Sequence, residues 1–232
     1  MKFLQKPLSP LLQREKYVGL AYLVFQLFLL PTLLRLMAMA FSMETDSTLV
    51  NTLYFSLNFI CCIAIFGHLL KNSLKKAIAE PDRLLIATAI GFGIYRVSTI
   101  ALSIVVILLF PEFSNLNDTA VMDVFGDSPL LMILCTVVLA PVTEELLYRG
   151  LVFGWLREKN ALMAFFLSAL IFAAIHVVQY IGSYSVAHVF VALVLYLPAG
   201  LTFVWAYQHS GTILAPIIIH AINNFLAVLV LR

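Results

Sequence analysis

Residues 129–156 read PLLMILCTVVLAPVTEELLYRGLVFGWL, an apolar run long enough to cross a bilayer. Two adjacent acids, Glu144 and Glu145, sit at its middle. An ionisable side chain at that depth costs roughly 2.5–3.5 kcal/mol on the insertion scale, so a pair of them marks a functional site. The whole chain is 62% hydrophobic and only 11% charged, which excludes an ordinary soluble domain. Lipid offers the backbone no hydrogen bonds, so repeated runs of this kind predict an all-α, polytopic transmembrane helix bundle.

Working outward, comparable runs fall at about 17–41, 50–70, 84–110, 161–181, 186–207 and 212–231, which makes about seven spans. They are apolar all round and lack the polar face of a soluble bundle helix. The run 84–110 is long enough to tilt or bend, and Gly91, Gly93 and Arg96 mark where an irregularity is expected. Ala38-Met39-Ala40 resembles a signal-peptidase site, but the apolar run before it is longer than a secretory h-region, so an uncleaved first span is predicted.

Loop charges alternate along the chain. Lys2, Lys6, Arg14 and Lys16 precede the first span, Lys71, Lys75, Lys76 and Arg83 follow the second, and Arg157 and Lys159 follow the fourth. The loops between carry Glu44 and Asp46, then Glu112, Asp118, Asp123 and Asp127. By the positive-inside rule the N-terminus is cytoplasmic and the C-terminus outside. The basic stretch 71–83 sets topology, with an interfacial helix on anionic lipid as the alternative. Cys61, Cys62 and Cys135 all lie in apolar runs without metal or redox spacing, so they read as small buried hydrophobes. No feature points to nucleic acid.

Helical spacing separates the two acids. Glu145 and Arg149 are four apart and share a face, so this acid is expected to be neutralised by an ion pair. Glu144 points about 100° away, toward the face of Tyr148, whose hydroxyl is placed to hold it. The unpaired acid is the candidate general base, because a carboxylate in a low-dielectric site can take and give a proton near neutral pH. The plainer reading makes both acids, with Arg149, a buried cluster that only fixes packing.

Two later runs carry matching polar groups. Phe172 and His176 share one face, so an aromatic ring can shield and position the imidazole. His220 and Asn224 also lie four apart and present two hydrogen-bonding groups to one point. At about 1.5 Å per residue, Glu144, His176 and Asn224 fall at similar depths, roughly 18–24 Å from the cytoplasmic helix ends. Asn223 is expected to face a neighbouring helix. His68, His188 and His209 lie near segment ends and read as interfacial, and Arg35 and Arg96 as snorkelling or paired.

Three motifs in order, Glu144-Glu145-x-x-x-Arg149, Phe172-x-x-x-His176 and His220-x-x-x-Asn224, resemble the CPBP intramembrane proteases, the CAAX-processing and bacteriocin-processing family also called Abi proteins. The resemblance covers about residues 128–231. It divides the chain into an N-terminal transmembrane region of three spans (1–127) and a protease core of four (128–232). It implies hydrolysis of a peptide bond in a membrane-associated peptide or protein. Glu144 and His176 would then activate water, His220 and Asn224 would hold the oxyanion, and Glu145, Arg149, Tyr148 and Phe172 would support the site.

By analogy, a chain of this length acts on a bacterial peptide precursor or leader in the bacterial cell membrane. The expected partners are membrane lipid and the peptide substrate, with the oligomeric state left open. No cofactor is expected. Zinc is the alternative, held by Glu144, His176 and His220 in a three-ligand open site, although the His-Glu-x-x-His pattern is missing. Two rival functions remain: a non-proteolytic bacteriocin-immunity or membrane regulatory scaffold on the same fold, and a proton-coupled transporter. The transporter lacks the repeated halves it would need.

Overall fold

The computed structural model of the chain describes residues 8–44, 48–113, 121–124 and 128–230. Lys2, Lys6, Asp46, Asp118 and Asp127, used above in reading the loop charges, lie outside these residues. The described chain is helical, without strands. Its principal helices are α1 (Gln13–Ala40), α2 (Thr48–Ile65), α3 (Gly67–Ala79), α4 (Pro81–Leu109), α5 (Pro129–Leu156), α6 (Ala161–Tyr180), α7 (Val186–Ser210) and α8 (Leu214–Val230). Six of them, α1, α2 and α4 to α7, are long and apolar enough to cross a membrane. The apolar α8 is shorter, at 17 residues.

The sequence signals account for several boundaries. Asn160 caps α6, its side chain accepting from the amides of Leu162 and Met163, and Ser185 caps α7 through the amide of His188. Gly211 closes α7 with φ of 74°, a conformation that glycine adopts without steric cost. Wide i→i+5 turns occupy Phe25–Leu29 in α1 and Ile133–Leu139 in α5. Each precedes a proline, Pro31 or Pro141, whose missing N–H and bulky ring disrupt the carbonyl ladder behind it.

Two expectations about the helices are corrected. The apolar run 50–70 is not one span: α2 ends at Ile65, the backbone breaks at Phe66, and α3 begins at Gly67. One stripe of α3, Leu69, Ser73 and Ala77, is buried, while Lys71 and Lys75 face outward. The anticipated irregularity in 84–110 is also missing, since α4 runs as uninterrupted α-helix. Gly91 allows close packing instead: a Cβ there would lie 2.7 Å from Ile219 Cδ1 of α8.

The helices alternate in direction around α5 and α7. At one end, Lys16 Nζ bonds Glu158 at 2.7 Å, Glu15 accepts from the Leu69 amide at 2.9 Å, and Thr212 Oγ1 donates to the Ser73 carbonyl at 3.0 Å. The basic N-terminal stretch, α3 and the Arg157–Lys159 turn therefore share that end. At the other end Thr48 Oγ1 donates to the Val124 carbonyl at 2.6 Å. All of Glu145–Phe153 is buried, because α1, α2, α6, α7 and α8 pack against α5. The cysteines are free, and Cys62 and Cys135 are fully buried, as expected of small hydrophobes.

The tightest crossing joins α6 and α7. A Cβ built at Gly200 would lie 2.7 Å from the Ala169 carbonyl, a backbone atom that cannot turn aside. Gly200→Ala is therefore expected to destabilise the protein by about 1–3 kcal/mol. A lowered thermal midpoint of the detergent-solubilised variant checks this; an unchanged midpoint would mean the helices separate freely.

Candidate active site

Arg149 anchors the site from inside α5. Its side chain is fully buried, and Nη1 bonds Glu145 Oε1 at 3.0 Å, the i,i+4 pair that the spacing predicts. Nη2 reaches the Gly200 carbonyl of α7 at 3.3 Å. The guanidinium lies over two rings, 4.1 Å from the centroid of Phe172 on α6 and 5.0 Å from that of Phe203 on α7. Two hydrogen bonds and two ring faces offset the buried charge, while Nε is left without a hydrogen-bond partner.

Glu145 extends the network to α8. Its Oε1 accepts from His220 Nδ1 at 3.0 Å, and the His220 ring stacks on Phe203 at 4.9 Å. A carboxylate paired with arginine can only accept, so Nδ1 carries the proton and Nε2 faces the other acid. His176 is fixed in the same way. Its Nδ1 donates to the Phe172 carbonyl at 2.8 Å, and its ring lies between Phe172 and Tyr196, each 4.5 Å away. Its Nε2 is therefore the lone-pair nitrogen of the neutral ring.

Both Nε2 atoms converge on Glu144. Its Oε2 stands 3.6 Å from His176 Nε2 and 4.0 Å from His220 Nε2, and this oxygen is buried without a hydrogen-bond partner. Helical depth thus brings together side chains that lie 32 and 76 residues away from Glu144 in sequence. Among the described residues, no three or more His, Cys, Asp or Glu side chains are placed to hold a metal ion.

Three expectations about side chains change. Tyr148 makes no hydrogen bond to Glu144; its ring packs edge-on against Phe172 at 5.7 Å. The cause is the backbone, which widens to i→i+5 turns over Glu145–Phe153 and alters the angle between the two residues. Asn224 points partly away from the acids, and its Nδ2 donates to the Thr136 carbonyl at 2.8 Å. Asn223 does not face elsewhere: it bonds Asn224 Oδ1 at 3.4 Å, and both asparagines line the cavity in front of Glu144. Thr136 lies within the other wide segment of α5, where carbonyls leave the normal ladder, and an amide from α8 meets one of them.

That cavity has a volume of about 310 Å³. Glu144, His176 and His220 form part of its wall, and α2 and α4 complete it with Phe55, Tyr95, Arg96, Thr99 and Ser103. A second cavity of about 180 Å³ lies behind, lined by Gln26, Tyr54, Asn58 and Gln179, and Glu144 and His176 border both. The N-terminal contributions were not legible as motifs. Among them the sequence singles out Arg96 alone, as a snorkelling or paired charge. His68, His188 and His209 lie outside both cavities.

Residues 126–226 match the family model described as type II CAAX prenyl endopeptidase Rce1-like. The chain is also 28% identical over 225 residues to the Bacillus subtilis protein named "Putative membrane peptidase YdiL", covering 92% of this chain and 87% of that one. No solved structure matches significantly. The resemblance carried by the three motifs therefore holds, and the chain is an integral membrane protein.

The ion pair makes one prediction. Glu145→Gln leaves the Arg149 guanidinium buried without its counter-charge, which costs about 3–5 kcal/mol. Folded yield of Glu145→Gln should fall sharply in size-exclusion profiles, whereas Glu144→Gln should match the wild type. Reversed phenotypes would contradict the division between the two acids.

Proposed function

We propose that this chain is an intramembrane endopeptidase with Glu144 as general base and no metal in the reaction. Both comparisons support a membrane protease. The observation that carries the finer reading is the buried, unpartnered Oε2 of Glu144, facing two histidine Nε2 atoms at the border of two cavities. The substrate is a membrane-associated peptide or protein segment held in the larger cavity. The smaller cavity behind, where Gln26, Asn58 and Gln179 offer polar side chains, supplies the water. In this reading residues 128–232 carry the chemistry and 1–127 form the transmembrane region that walls the cavity.

Water lies between Glu144 and His176 and donates its two hydrogens to Oε2 and to Nε2. Glu144 takes one proton as the water oxygen adds to the scissile carbonyl carbon. The resulting oxyanion needs donors. His220 gives one from Nε2, its ring oriented by the Glu145 carboxylate at Nδ1. Asn224 gives another from its second amide hydrogen, the first being held by Thr136. When the C–N bond breaks, Glu144 returns its proton to the leaving amine, and one water has been consumed per bond cut.

The test is comparative peptidomics of membranes from matched cells making wild type or Glu144→Gln at equal protein levels. New peptide termini that require Glu144 are expected, with cleavage by the variant reduced at least about 10²-fold. No difference, with candidate peptides confirmed present, would favour the non-proteolytic immunity or scaffold role. The metal-free step predicts that purified protein keeps its activity after chelation; loss that zinc restores would overturn it.

A further inference from the structure

We infer that Arg96, with Thr99 and Ser103, forms a carboxylate-binding subsite in the larger cavity and orients the peptide substrate. This rests on the peptidase reading above. Arg96 is fifteen residues from Pro81 and thirteen from Leu109, so it lies about 20 Å from either end of α4. No arginine side chain snorkels over that distance. The expectation that Arg96 is snorkelling or paired is therefore corrected: it lines the cavity and makes no ion pair or hydrogen bond among the described residues. A charge at such depth that faces a cavity, with no partner among the described residues, marks a place where a ligand can supply the counter-charge.

The neighbouring side chains complete an anion site. Thr99 and Ser103 follow at three and seven residues, on the same face of α4, and both line the same cavity. Thr99 Oγ1 is buried with no partner, although a helical threonine commonly bonds the carbonyl one turn back. A guanidinium and two hydroxyls on one stripe match the acceptor geometry of a carboxylate. Lipid phosphate is the poorer candidate, since headgroups lie about 15 Å from the bilayer centre. A peptide brings two kinds of carboxylate, its C-terminus and its Asp or Glu side chains. Either would fix the distance between the charge and the bond presented to Glu144.

The test uses full-length Glu144→Gln protein in nanodiscs, which should bind peptide without cutting it. The probe is a pool of synthetic apolar heptapeptides in four matched forms. One has a free C-terminal acid and one a C-terminal amide; two amidated forms carry internal Asp or Glu, or internal Asn or Gln. Retained peptides are counted by mass spectrometry. At least one acid form should be enriched about tenfold or more over its neutral counterpart, a difference of about 1.4 kcal/mol. Which form is enriched identifies the carboxylate. Adding Arg96→Gln should abolish the enrichment but leave neutral peptides retained, and Arg96→Lys should recover part of it. If Arg96→Gln fails to fold, Thr99→Val should reduce the same enrichment. Equal retention of acid and neutral forms, or enrichment that survives Arg96→Gln, would overturn the subsite. Cleavage of the same pool by protein retaining Glu144 is scored separately. Selective retention without such cleavage would sink the peptidase reading and leave the subsite standing.

Discussion

A fully buried guanidinium is the constraint around which the bundle is organised. Removing Arg149 from water costs several kcal/mol, and the protein offsets this only by surrounding the group completely. Glu145 supplies the counter-charge, the Gly200 carbonyl an acceptor, and Phe172 and Phe203 their ring faces. Those partners come from α5, α6 and α7, and Glu145 passes the linkage to α8 through His220. One charge thus fixes the relative position of four helices. The helix crossing at Gly200 and Ala169 has to be close for the Gly200 carbonyl to reach Arg149 at all.

The same arrangement fixes proton positions. Two histidines face Glu144, and in each the far nitrogen is held by an acceptor, a backbone carbonyl for His176 and a carboxylate for His220. The two acceptors differ in charge, and each leaves Nε2 of its ring facing Glu144. The wide turns of α5 contribute by freeing carbonyls such as Thr136, to which Asn224 is tied.

Glu144 and His176 also lie on the border between two cavities. The larger space is built jointly: α5 to α8 bring the acid, histidines and asparagines, while α2 and α4 bring Phe55, Tyr95 and the Arg96 stripe. Its wall thus draws on both parts of the chain.

The sequence by itself determined the all-α membrane fold, because composition and run length leave no other structure for the backbone. It also determined the Glu145–Arg149 pair and the aromatic shield of His176, since residues four apart on a helix share a face. The family resemblance lay in three such local pairs. Only the tertiary structure decided what crosses between helices. Asn224 turned to a carbonyl of α5, Asn223 entered the cavity, and Tyr148 lost Glu144, because wide turns rotate side chains by amounts that the sequence does not display. Arg96 showed its depth in the sequence, but its place in the wall of the cavity depends on how α4 packs beside α7 and α8. Spacing encodes contacts within a helix; contacts between helices depend on crossing geometry, which arises from all the packed side chains together.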